Sequence, residues 1–381
     1  MAGIVIAAKV DNVDTKKLEK LFFIQFIIPD PIELKKFSTI PITYILNYSI
    51  SCHIIKLLYN IFIFIYLNKK LFYGYCEMNV ILKNKIKENY NDITCIKYSN
   101  TGDSILSSDW YGVIIHWSIK NKKIINQYQC DKYNEITKKD GILTIKQYND
   151  KLFFCTWTGS VVYWDMKNNE IIKKWTGYKN IISIDISSDG QFLLISNIIG
   201  LLEIWEIKTL KLIYTNESFF TEGNIYWIEQ CSFHPTKNHI IFICGKGGFE
   251  IWDLKEKQII DYYESEYDFN TFIITKNSND IIIAGDNGII YIIDIKTLTI
   301  KHELIDHSKK INTIKLTNDK KFIISGGDDG YLRIWNKRSK KLIFRSIEYH
   351  DNINSIDTNP IKSNEFVIND NNVIKLYNIT D

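Results

Sequence analysis

The sequence lacks the arrangements on which enzyme chemistry is usually built. Its seven histidines share no ligand spacing with cysteines or carboxylates, so no metal site is coded. Gly245-Lys246-Gly247-Gly248 lacks the Gly-x-x-x-x-Gly-Lys-Ser/Thr spacing of a phosphate loop and precedes no helix signal, so it reads as a turn between two strands. Seven cysteines include no Cys-x-x-Cys pair and fall mainly in predicted strands, which reads as reduced thiols of an intracellular protein, cytoplasmic or nuclear. A net charge of +3 over 381 residues is too small to argue for nucleic acid by itself, so the distribution of charge carries more information than its sum. We therefore expect no catalytic residue, no metal, no cofactor and no small-molecule substrate.

Neither apolar run near the N-terminus reads as a signal peptide. Ile40 to Leu67 is apolar enough to resemble a membrane span, but His53, Lys56 and Asn60 interrupt it, and no small-residue cleavage site follows. Residues 1–76 form an atypical hydrophobic N-terminal extension with three open readings: a membrane anchor through 40–67, a segment covered by a partner or poorly folded, or translated AT-rich non-coding sequence. Membrane contact is the minority expectation.

What the chain does have is a beat. A glycine stands five residues before an aromatic or apolar residue in Gly112/Trp117, Gly159/Trp164, Gly200/Trp205, Gly247/Trp252, Gly288/Ile293 and Gly330/Trp335, with a degenerate seventh pair, Asn372/Tyr377. Successive beats lie 47, 41, 47, 41, 42 and 42 residues apart, the period of a four-stranded blade. Each repeat runs through apolar segment, polar turn, second apolar segment, glycine beat and third strand, as in Ile181–Ile186, Ser187–Gly190, Phe192–Ile195, Gly200 and Leu201–Trp205. The endings Trp164-Asp165, Trp252-Asp253, Trp205-Glu206 and Trp335-Asn336 resemble the Trp-Asp ending of the WD-repeat family. The fold class implied is all-β: a seven-bladed β-propeller of four-stranded antiparallel blades over 77–381, with blade cores near 93–128, 140–175, 180–215, 225–263, 269–304, 309–347 and 350–381.

The seventh repeat has only three strands before the chain ends. An open blade would expose unpaired backbone. Asn79–Ile86 stands at the right spacing before Ile93 to supply the missing outer strand, so 79–86 is expected to close the ring.

The resemblance implies a structural hydrogen-bonded tetrad, and only blade six offers the whole set: His307, Ser325, Asp329 and Trp335. Trp110 and Trp157, each two residues before a beat, are expected to share one face of the disk and to serve with Asp328 as partner-binding candidates. Lys120, Lys167, Lys208, Lys255, Lys296 and Arg338, each three residues after an anchor, form a ring of cations expected on the opposite face. Asp261–Asp268 reads as an acidic, tyrosine-rich connection that gives the disk polarity. Taken together, the chain reads as a non-enzymatic scaffold or adaptor binding other proteins of a complex. The alternative is a module that binds RNA or anionic lipid through its basic face.

Overall fold

A computed structural model of the chain describes residues 79–86, 92–129, 140–216, 227–275, 280–346 and 352–380. The three readings of the N-terminal extension fall outside them. The described residues contain seven four-stranded antiparallel sheets and no helix. Six sheets take four consecutive strands, in chain order from the innermost to the outermost. Blade one, for example, is built from Ile93–Tyr98, Ser104–Asp109, Val113–Ser118 and Lys123–Gln129.

The seven inner strands form a closed circle. That of blade one touches Ile142–Tyr148 of blade two on one side and Ile356–Thr358 of blade seven on the other. Blade seven takes Ile356–Thr358, Glu365–Asp370 and Val373–Thr380 from the end of the chain, and Asn79–Ile86 as its outer strand. That strand runs antiparallel to the last, with Asn79 opposite Thr380 and Ile86 opposite Ile374, so the two ends of the propeller share one sheet.

Burial on both faces explains the continuous apolar runs of the second strands. In Lys151–Thr156 of blade two, Leu152 and Phe154 pack toward blade one with Leu106 and Ile114, while Phe153 and Cys155 pack toward blade three with Ile184, Leu193 and Ile195. Each fully buried phenylalanine is worth roughly 2–3 kcal/mol of transfer free energy. Seven such clusters fill the seven seams between neighbouring blades. Outer strands bury one face only, and Gln258–Glu264 alternates accordingly between exposed and half-buried residues. The register of every outer strand slips by one residue beside the anchor, as between His116 and Trp117 or Ile334 and Trp335, a bulge that adds twist to the blade edge.

Two details differ from the sequence reading. The six glycine beats all have positive φ, and at Gly159 (φ 91°) a Cβ would also lie 1.9 Å from the Tyr178 carbonyl oxygen. In the seventh turn the left-handed residue is Asn371 (φ 53°), not Asn372, because the hairpin between Asp370 and Val373 holds only two residues and the positive φ falls on the first. Asp261–Asp268 is not wholly a connection either. Its first half belongs to the outer strand Gln258–Glu264, with Tyr262 opposite Glu250, and only the residues after Glu264 cross to the next blade.

Candidate interaction surfaces

The antiparallel meander sorts the turns onto two faces. Turns between second and third strands share the upper face with the connections between blades; turns between third and outer strands lie on the lower face. Trp110 and Trp157 both belong to upper-face turns, in blades one and two. Their rings meet edge to face with centroids 6.0 Å apart, while 42% and 60% of the two residues stay exposed. The connection into blade two fixes the pair. Trp110 lies over Gly141, where a Cβ would come within 2.5 Å of its Cε3, and the Trp157 amide donates to the Gly141 carbonyl at 2.8 Å. Asp140 accepts from the Thr158 amide at 3.0 Å.

The same face carries further exposed apolar side chains that sequence reasoning missed: Tyr111, Ile199, Trp227 and Tyr267. A signal existed for two of them, since Tyr111 and Ile199 each directly precede a glycine beat. Lys246 lies over the Trp227 ring, 5.1 Å from its centroid. A cleft of about 710 Å³ opens between blades two and three, lined in part by Lys173, Lys179, Tyr178, Ile199 and Trp205. It adjoins the Trp157 turn, because Tyr178 is the residue packed on Gly159. Within it Glu203 accepts from the Tyr178 hydroxyl at 2.5 Å and from the Trp205 indole at 2.7 Å. Asp328 is on the upper face of blade six, where it accepts from Asn312 at 2.7 Å, and so stands apart from the tryptophan pair.

On the lower face all six cations of the ring are exposed. The residue after each anchor shapes these turns. Asp165, Asp253, Asp294 and Asn336 accept from the amides of Lys167, Lys255, Lys296 and Arg338 at 2.8–3.0 Å, leaving the cationic side chains outside the turn. The Lys151 ammonium and the amides of Asn168 and Lys167 hold the Asp165 carboxyl well below the usual carboxylate range.

Blade six contains a connected polar network. The Trp335 indole donates to Ser325 Oγ at 3.0 Å, Ser325 lies 2.8 Å from His307 Nε2, and His307 Nδ1 lies 3.0 Å from Asp329. Donation from Trp335 to Ser325, from Ser325 to Nε2 and from Nδ1 to Asp329 satisfies every member. Arg333, fully buried, pairs with Asp329 at 2.8 Å and with Asp306 at 2.5 Å. Burial alone would raise the Asp329 carboxyl, but the His307 hydrogen bond and the Arg333 guanidinium hold it below the usual range. Desolvation lowers the His307 imidazole, so it stays neutral. Comparison with family models matches residues 298–336, the stretch containing this network, to the WD domain, G-beta repeat family. Six further blades repeat the same four-stranded plan.

The chain is a seven-bladed β-propeller with a WD repeat at residues 298–336. No curated protein matches it. In the other blades of this propeller the anchor indole finds its acceptor differently. Trp117 donates to Ser107 at 2.9 Å, ten residues upstream as in blade six. Trp205 and Trp252 donate to Glu203 and Glu250, two residues upstream on the same face of the strand. Trp164 has Phe154 and Val162 at those two positions, and its indole nitrogen is buried without a partner. Among the described residues no group of three or more His, Cys, Asp or Glu side chains is arranged to hold a metal, and no helix is long and apolar enough to cross a membrane.

Proposed function

We propose that this propeller is a non-enzymatic interaction scaffold of an intracellular assembly, and that a partner protein docks on its upper face through Trp110 and Trp157. The observation that carries this reading is the edge-to-face pair itself. The two large indoles meet each other, and the Trp110 ring also lies on Gly141, yet neither is covered. Preorganised aromatic area of this kind loses little entropy on binding and dominates hot spots. Truncating Trp157 to alanine should weaken partner binding by about 2 kcal/mol with little loss of stability. Trp110→Ala should also weaken binding, with some loss of stability because its ring lies on Gly141. Parallel melting and affinity measurements on partners captured by the wild-type chain separate the two effects. Unchanged affinity in both variants moves the docking surface elsewhere.

The exposed cationic ring on the lower face supports a second reading, binding of RNA or anionic lipid. Changing Lys120, Lys167, Lys208 and Lys255 to Glu together should abolish such binding and leave the β-sheet spectrum intact, and wild-type retention should fall steeply with salt. Retention indifferent to both changes excludes that face.

A further inference from the structure

At one level of the closed circle of inner strands, the residues four positions after the buried Ile93, Ile142, Ile181, Ile228, Phe269, Ile311 and Ile353 are Lys97, Lys146, Asp185, Ser232, Ile273, Lys315 and Asp357, in blade order. Three ammonium groups thus share the axis of the disk with two carboxylates. Both carboxylates are already committed. Asp357 pairs with Lys97 at 3.3 Å and accepts from the Tyr98 amide at 2.9 Å. Asp185 pairs with Lys146 at 2.7 Å and accepts from the Ser232 hydroxyl and the Phe233 amide. The Lys315 side chain is half-buried, and its ammonium has no hydrogen-bond or ion-pair partner among the described residues.

A half-buried cation with no carboxylate of its own is unfavourable, and both carboxylates of the ring are paired with the other two lysines. Each lysine ammonium carries three donors, of which Lys97 and Lys146 each spend one on an aspartate and Lys315 none. The remaining donors make no hydrogen bond within the ring, whose other members are a serine that donates to Asp185 and an isoleucine. The two aspartates argue against a polyanion, since they leave the ring an excess of a single positive charge.

We propose that the propeller axis is a binding site for one phosphate-class oxyanion, held by Lys315 together with the unused donors of Lys97 and Lys146. The proton balance at Lys315 supports it. The neighbouring Lys97 charge first, then burial, with a smaller contribution from Lys146, push its ammonium down to about 7, against the opposing pull of Asp357 and Cys95. A bound anion reverses that penalty, so binding at neutral pH takes up a proton on Lys315.

The test uses the full chain and sulfate, whose charge is constant near neutrality, in direct calorimetric titration at fixed ionic strength. Affinity should fall about tenfold between pH 6 and pH 8, the loss of protonated Lys315 expected for a group titrating at about 7. Lys315→Met should abolish saturable sulfate binding, and Lys315→Arg should retain it while flattening its pH dependence. Sulfate binding that is unchanged in Lys315→Met, or independent of pH in the wild type, overturns the proposal. The wild-type pH dependence decides the matter even if Lys315→Met fails to fold. Inorganic phosphate and phenyl phosphate compared at pH 6 then identify the source: equal affinity means the free anion, tighter phenyl phosphate a small phosphate ester.

Discussion

Blades two and six share a strand plan and differ in how they treat polar groups. In blade six Ser325, ten residues before Trp335, receives the indole and passes the chain of hydrogen bonds to His307 and Asp329. In blade two Phe154 stands at the serine position, Thr158 at the aspartate position, and the Trp164 indole is buried without a partner. Blade two offsets this with aromatic packing. Trp164 meets Tyr128 edge to face at 5.0 Å, and Phe153 stacks on Tyr163 at 4.3 Å. The blade architecture therefore does not depend on the tetrad. What the tetrad adds in blade six is a place to bury Arg333, a side chain that could not otherwise sit at a fully buried position.

The largest effect should come from removing the carboxylate beneath that arginine. Asp329→Ala leaves Arg333 with Asp306 as its one carboxylate partner and leaves His307 Nδ1 without its acceptor, so we expect a loss of about 3–5 kcal/mol. The matching change in blade two, Thr158→Ala, should cost under about 0.5 kcal/mol, because Thr158 is exposed. Denaturant unfolding of the two variants checks the contrast, and similar losses would show that the buried network is not what distinguishes the blades. Acid should act on the same network in the wild type. The folded-state pKa of both His307 and Asp329 is lowered, so the unfolded chain takes up these protons first as pH falls. Stability contributed by His307 is present above the ordinary histidine range and is lost below it, and that of Asp329 is lost further down, through the carboxylate range. Asp329→Asn should flatten the lower of these two steps.

How much of this was legible in the sequence depends on whether a signal is local. The glycine beat is local, since each turn needs a left-handed residue in a fixed place, and it marks six blades; in the seventh an asparagine, Asn371, takes that conformation. The full polar set of blade six is readable for the same reason, because its four members lie between His307 and Trp335. The substitute acceptors Glu203 and Glu250 were equally local, two residues before an anchor and so on its face of the strand, but a search for the histidine-serine-aspartate pattern passes over them. Contacts between blades are another matter. Trp110 meets Trp157 only because the disk brings neighbouring turns together, and Lys97 finds Asp357 across 260 residues because the last blade closes on the first. The lone Lys315 follows from that closure, since its isolation is defined by strands far away in the chain.

A finer test of the comparison removes only the indole nitrogen. Trp335→Phe and Trp164→Phe both shrink a buried ring by similar amounts and keep it aromatic, so the packing loss is largely common to the two. They differ in the polar group. In blade six the change takes from Ser325 the donor it receives at 3.0 Å, whereas in blade two it deletes a buried donor that had nothing to bond. Breaking a satisfied buried pair costs, while deleting an orphaned group relieves a desolvation penalty. Trp335→Phe should therefore be the more destabilising by about 1–3 kcal/mol, read as the difference between two denaturant midpoints at equal slope. Equal losses would mean that the Trp164 nitrogen is satisfied in solution, for example by a bound water, and that blade two has its own polar connection after all.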